Sequence, residues 1–503
     1  MTRRPAEAAR TAVELDGSTL DVGAVTAVAR LGAAVTVSAA ARDRLEASRQ
    51  RASRVVAAGA AVYGRNTGVG VKLLEPVPDD GARHHSLALL RSHAGGVGQL
   101  LDRAEVRALL VVRANQLLAG GAGIEPAVVD GILAALASGA TPLVHGLGGI
   151  GTGDLTALAE VGLALAGEGA WREGDRPPPP IEFGAGDGLA LMSSNACTLG
   201  RAALLASDVA RIISSADAVV GLSALACDGN LAAFDPRVHA ARPFRGPSTS
   251  AGRVRDILGE GAPGVGARLQ DPFGLRCAPQ LNGAAQDSLD RLVEVVEVDI
   301  NAAAENPLIA GDGRAGATAD TPKGDVALAN GNFLTSELAI ALDQLRSTLA
   351  GIGLGSLARL SLVCDPSITG VTRFLTDGTP GASGVMILEY TAQSAMDRLR
   401  LAATSTSCWP VTVSAGIEHL ASHAPLGVEQ LIDAIDALGI VVGAELVASV
   451  RAIELRGLRA RTPAGRAWLE QARARLSSDL ADRPLGPDVA AASSLVSHGL
   501  ADL

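Results

Sequence analysis

The longest helix-forming runs set the strongest limit on what this chain can fold into. Residues 427–455, GVEQLIDAIDALGIVVGAELVASVRAIEL, and 334–353, LTSELAIALDQLRSTLAGIG, read as long helices. A third run, QDSLDRLVEVVEVDINAAAEN at 286–306, is amphipathic and is expected to stop before Pro307, because a residue ahead of proline is disfavoured in the α region. Ala, Leu, Glu and Arg favour helices throughout, and β-branched residues alternating with polar ones are scarce. Aromatic residues are only 2 % of a chain that is 48 % hydrophobic, so the core must be aliphatic. The fold class expected is mainly α, with a long central helical bundle behind an N-terminal helical domain. The corresponding divisions are 1–215, 216–425 and a C-terminal helical tail at 426–503.

Several functions are excluded by composition. A net charge of −10 argues against nucleic acid as main partner, since a phosphate-binding face should be basic. No apolar run is read as long enough for a membrane span, and the opening MTRRPAEAARTAVELDG lacks the apolar region of a signal peptide. Cys197, Cys227, Cys277, Cys364 and Cys408 are scattered without a CxxC, which suits buried thiols in a cytoplasmic protein and no metal site. REGDRPPPPIEFGAGDG at 172–188 reads as a stiff exposed connector. The stretches 241–252 and 311–325 read as surface or gate loops, and 86–118 as helical with a break at Gly95-Gly96.

The chemistry concentrates in loops. Tyr63, one of two tyrosines, sits in YGRNTGVG among three glycines, where it can swing over a pocket and move a proton. GIGTGDLTALAE at 149–160 places Thr152 between Gly151 and Gly153, directly ahead of a helix expected to be capped by Asp154. With RSHAGGVG at 91–98, GLALMSSNA at 188–196, LQDPFGLRCAPQLNGAAQD at 269–287, AENPL at 304–308, NGNF at 330–333 and DRPLGPD at 482–488, these occur in one order. In that order the chain resembles the histidine and phenylalanine ammonia-lyase family, from about Val13 to Leu495.

The resemblance implies a histidase-like helical homotetramer in which each active site draws on several subunits. It implies no external cofactor. Instead an Ala-Ser-Gly triplet cyclises, losing two waters, to 4-methylidene-imidazol-5-one, which attacks an amino acid while a loop tyrosine removes the β-proton. The chemical need is plain: ammonium is a poor leaving group, a β-proton on an unactivated carbon is weakly acidic, and no ordinary side chain is electrophilic. Here the matching triplet is Gly151-Thr152-Gly153. Dehydration of Thr152 would leave a methyl on the exocyclic carbon, crowding the atom to be attacked, so a dull ring or no ring is expected. Ser193 replaces the family asparagine of GLALxNGT, with Asn195 two residues on. Phe273 replaces the tyrosine of DPYSLR, and Leu334 the histidine of GNFH.

Other positions match. The resemblance assigns Tyr63 as base and Arg276 as the arginine that grips the substrate carboxylate, a task for a bidentate guanidinium. Gln270 and Asn306 match polar pocket residues and Phe333 a pocket wall. His93 and Glu418 match the histidase side of the selectivity positions. Structural roles compete: Arg276 as a buried ion-pair arginine, His93 as a helix cap, Glu418 paired with His419, Phe273 as pocket wall. The function expected is a carbon–nitrogen lyase acting on a small amino acid or related carboxylate by elimination or addition across Cα–Cβ. The alternatives are a prosthetic-group-free lyase, with the Thr152, Ser193 and Ser194 hydroxyls polarising a substrate that carries its own activation, or a non-catalytic ligand-binding relative.

Overall fold

The computed structural model describes residues 12–78, 81–259, 266, 268–311 and 324–500, and it is mainly helical. It divides into two compact units, the first made of 1–204, 293–340 and 406–428, the second of 205–292, 341–405 and 429–503.

The first unit is organised around helix Arg103–Leu118. Asp102 accepts from the Glu105 amide and the Glu105 carboxylate accepts from the Asp102 amide, a capping box that starts the helix. Every residue from Val106 to Leu118 is buried, so the polar ones need partners: an unsatisfied buried group costs about 1–3 kcal/mol. Arg113 donates to the carbonyls of Ala190 and Leu191 and lies 3.2 Å from Glu305. Gln116 accepts from the Ser194 hydroxyl at 2.6 Å. Asn115 donates to the Ile300 carbonyl and to Asn301 Oδ1. One helix thus holds the 190–194 segment, which carries Ser193, and the 300–305 segment just ahead of Asn306. Three two-stranded sheets complete the described part of this unit: Val13–Leu15 parallel to Val35–Val37, and the antiparallel pairs Val97–Leu100 with His145–Leu147 and Leu308–Ala310 with Val326–Leu328.

The second unit takes most of the long helices Ala196–Ala226, Ala278–Asp299, Ser336–Val363 and Ala424–Leu455. One aliphatic cluster joins Val220, Ala251, Val254 and Ala278 around Phe234. Within the unit Arg359 and Glu445, both fully buried, pair at 2.6 Å, and the Ser223 hydroxyl donates to the same carboxylate.

Several local expectations are corrected. The helical reading of 86–118 is interrupted by strand Val97–Leu100, which pairs with His145–Leu147. The third long helix ends at Asp299, well before Pro307, because Asn301 turns its side chain onto the Leu20 amide and carbonyl. Much of 241–252 is helix, not loop: Arg245–Leu258 carries Pro247 in its first turn, where a missing N–H costs nothing. Residues 187–226, read as too short in apolar character for a membrane span, do include a helix long and apolar enough by length and composition. In its apolar window 78 % is buried inside the molecule, as in a core helix. Residues 1–11 of the opening segment and nearly all of the 311–325 loop lie outside the described residues.

Candidate active site

A cavity of about 890 Å³ in the first unit is lined by Tyr63, Thr152, Ser193, Asn306, Phe333, His93 and Glu418. Tyr63 is half-buried, and its hydroxyl oxygen accepts a hydrogen bond from the Gly70 amide at 2.7 Å. Gly70 has φ +59, and a Cβ there would lie 2.9 Å from Ser414 Oγ, so the tyrosine loop and the 414 loop meet where only glycine fits without strain.

The triplet is held from behind. Ser422 Oγ donates to the Gly151 carbonyl at 3.1 Å and the His423 amide donates to the Ile150 carbonyl at 2.9 Å. The Gly153 amide donates to Asn195 Oδ1 at 3.1 Å, and the Asp154 amide to the Ser194 carbonyl at 2.7 Å. Gly151 and Gly153 are buried with φ +88 and +111, while Thr152 between them is half-buried and faces the cavity. Asn195 is not on the cavity wall; its amide also donates to the Phe333 carbonyl at 2.8 Å and so ties the triplet to the NGNF loop.

Asp154 precedes helix Leu155–Leu165, but its carboxylate does not cap that helix. It accepts instead from the amide and hydroxyl of Thr198, in the first turn of Ala196–Ala226, where a helix N-terminus favours an anion. Burial pushes its pKa up to about 6, against the pull of those bonds. Asp187, accepting from the Glu125 and Gly184 amides, is pushed up to about 6 by burial as well.

The polar wall is built from Ser193, whose Oγ accepts from the Asn306 amide at 2.9 Å, and Asn306, whose Oδ1 accepts from the Asn330 amide. His93 ends helix Ala82–His93 with Nδ1 2.8 Å from the Leu89 carbonyl; in the tautomer that donates there, Nε2 remains an acceptor. Glu418 is exposed at the rim, and its neighbour His419 turns Nδ1 to the Gly416 carbonyl. No hydrogen bond or ion pair joins the Glu418 and His419 side chains among the described residues.

Gln270, Phe273 and Arg276 belong to the second unit and do not line this cavity. Gln270 and Phe273 are exposed, the latter at 69 %. The Arg276 guanidinium lies over the Phe273 ring, 4.6 Å from its centroid, and its Nε is buried without a hydrogen-bond partner. Among the described residues Arg276 has no carboxylate partner.

Sequence reasoning missed Ser422 and Gln116, which bond across the fold and carry no local signal. It also missed Lys72 on the cavity wall, which did carry one: the chain has only two lysines.

The aromatic amino acid lyase family profile matches residues 20–474. The chain is 34 % identical over 512 aligned residues to a probable histidine ammonia-lyase of Halobacterium salinarum, covering 97 % of each chain. It is 33 % identical to a histidine ammonia-lyase of Streptomyces griseus, covering 94 % of each. Among solved structures, an ergothioneine-degrading ergothionase of Treponema denticola superposes with TM-score 0.90 at 25 % identity, covering 98 % of this chain and 100 % of that one. The histidine ammonia-lyase of Trypanosoma cruzi does so with TM-score 0.85 at 25 % identity, covering 97 % and 94 %. With the profile spanning most of its length and its helices superposing on these enzymes, the chain belongs to the aromatic amino acid lyase family and is an ammonia-lyase-like carbon–nitrogen lyase.

Proposed function

We propose that this enzyme eliminates or adds across the Cα–Cβ bond of a small amino acid or related carboxylate, with Tyr63 as the base and an unmodified Gly151-Thr152-Gly153 loop. The observation that carries the reading is the Tyr63 oxygen, held by the Gly70 amide in the same cavity as Thr152. The backbone around the triplet is compatible with ring closure, since the Gly151 carbonyl has a donor and the Gly153 amide an acceptor. The side chain is not: a threonine cannot lose water to a methylidene, because its β-carbon already bears a methyl. The residues therefore do not fit the family's 4-methylidene-imidazol-5-one.

Without that electrophile the substrate must bring its own activation, either an acidified β-proton or a leaving group better than ammonium. Tyr63 takes the proton, with its oxygen positioned by the Gly70 amide. Thr152 and Ser193 supply hydroxyls to the same cavity. His93 and Glu418 face the distal, polar part of the substrate. L-Phenylalanine, L-tyrosine and L-histidine are poor substrates on this reading, and the likeness to an ergothioneine-degrading enzyme agrees with a substrate outside that set.

Carboxylate binding falls to Arg276 with Gln270, brought to the cavity by another copy in a homo-oligomer, as a tetramer. Two features support this: Leu269 and Phe273 are 93 % and 69 % exposed, and Arg276 keeps an unpaired buried Nε beside them.

The test is Tyr63→Phe assayed by ultraviolet absorbance for conjugated acids, on a panel of amino acids and their N-methylated betaines. Loss of a positioned base lowers turnover by about 10²–10⁴-fold. Unchanged turnover in a folded Tyr63→Phe protein removes Tyr63 from the reaction.

A further inference from the structure

The DRPLGPD motif takes no part in the site described above. It lines a second cavity, of about 210 Å³, wholly within the second unit. Three arginines reach this cavity, Arg451, Arg473 and Arg483, along with two carboxylates, Glu454 and Asp488. The carboxylates are already matched. Arg473 Nε pairs with Glu454 at 2.6 Å, and Arg483 Nη2 with Asp488 at 2.5 Å.

Arg451 is the cation left over. It is buried, at 7 % exposure, on helix Ala424–Leu455. Its Nε donates to the Leu375 carbonyl at 2.7 Å and its Nη2 to the Leu480 carbonyl. Among the described residues Nη1 has no hydrogen-bond partner, and no carboxylate lies within ion-pairing distance of the guanidinium. The nearby Asp482 is committed to the amides of Ser383 and Gly384, at 2.8 Å each. Burial lowers the Arg451 pKa and the Arg483 guanidinium lowers it further, while Asp377, Asp482 and Asp479, all beyond ion-pairing distance, pull it back up. Buried charges in folded proteins are ordinarily paired. Val447, Val450 and Leu476 contribute apolar wall to the cavity, and Ser477 and Ser478 polar wall.

We propose that this cavity binds a small organic carboxylate, its charge on Arg451 Nη1 and its apolar body against Val447, Val450 and Leu476. The volume falls below the ~300–1,000 Å³ of pockets for drug-sized ligands, so the ligand is a metabolite-sized acid. The site is separate from the Tyr63 cavity, which shares none of its lining residues.

The test is isothermal titration calorimetry of the full chain in its native assembly, with butyrate as probe and butyramide as its uncharged counterpart. The wild-type protein binds butyrate saturably and butyramide far more weakly. Absence of saturable butyrate binding, or equal binding of butyramide, overturns the proposal. Arg451→Gln weakens butyrate by about ten- to hundredfold, the usual effect of hydrogen bonds to a charged group; unchanged affinity in that variant also overturns it. Should Arg451→Gln fail to fold, Glu454→Gln decides. It frees the Arg473 charge and tightens butyrate binding if this cavity is the site, whereas unchanged or weaker binding overturns the assignment.

Discussion

Gly151 has no room for the alanine of the family triplet. Its φ is +88, and an added Cβ would sit 1.9 Å from Ser422 Oγ and 3.1 Å from the His423 amide. Ser422 cannot simply rotate away without loss, because its hydroxyl also bonds Thr335 Oγ1 and the Gly151 carbonyl. Gly151→Ala, the change towards the family's alanine, is therefore expected to destabilise the protein by about 1–3 kcal/mol. Urea unfolding measures this, and an unchanged midpoint would show that the loop relaxes freely. Thr152 and Tyr63 were legible in the sequence because their neighbouring glycines are local. Ser422 was not, because its partner lies 271 residues away and only the fold joins them.

At the scale of elements, charge burial governs the response to mutation and to pH. Glu445→Gln leaves Arg359 without its counter-charge between helices Ser336–Val363 and Ala424–Leu455, and breaking such a pair costs about 3–5 kcal/mol. Replacing both residues by methionine recovers most of that loss if desolvation rather than packing dominates; thermal unfolding of the single and double variants distinguishes the two. Asp154, Asp187 and Asp299 are each pushed up to about 6, chiefly by burial. Between their ordinary value near 3.8 and about 6 the folded protein binds protons that the unfolded chain does not. Stability from these groups then falls as pH rises through that window. The melting temperature is expected to increase from pH 7 to pH 5, and a flat or falling profile would contradict the burial of these carboxyls as charged groups. The long helices were legible from their apolar spacing. Strand Val97–Leu100 was not, since a four-residue strand next to two glycines has too few positions to establish a period.

At the scale of the whole molecule, the sequence motifs converge only in part. Tyr63, His93, Thr152, Ser193, Asn306, Phe333 and Glu418 line one cavity, while Gln270, Phe273 and Arg276 stand outside it. The order of motifs along the chain identifies the family but does not place its residues in space, so the position of Arg276 outside the cavity was beyond sequence reasoning. The central claim is that the enzyme works with an open-chain triplet. Intact mass spectrometry of the purified protein tests it most directly. An unmodified mass is predicted, and it should stay unmodified through turnover. A deficit of two waters that maps by peptide digestion to Gly151-Thr152-Gly153 would contradict the account and make the protein a ring-bearing lyase built on threonine.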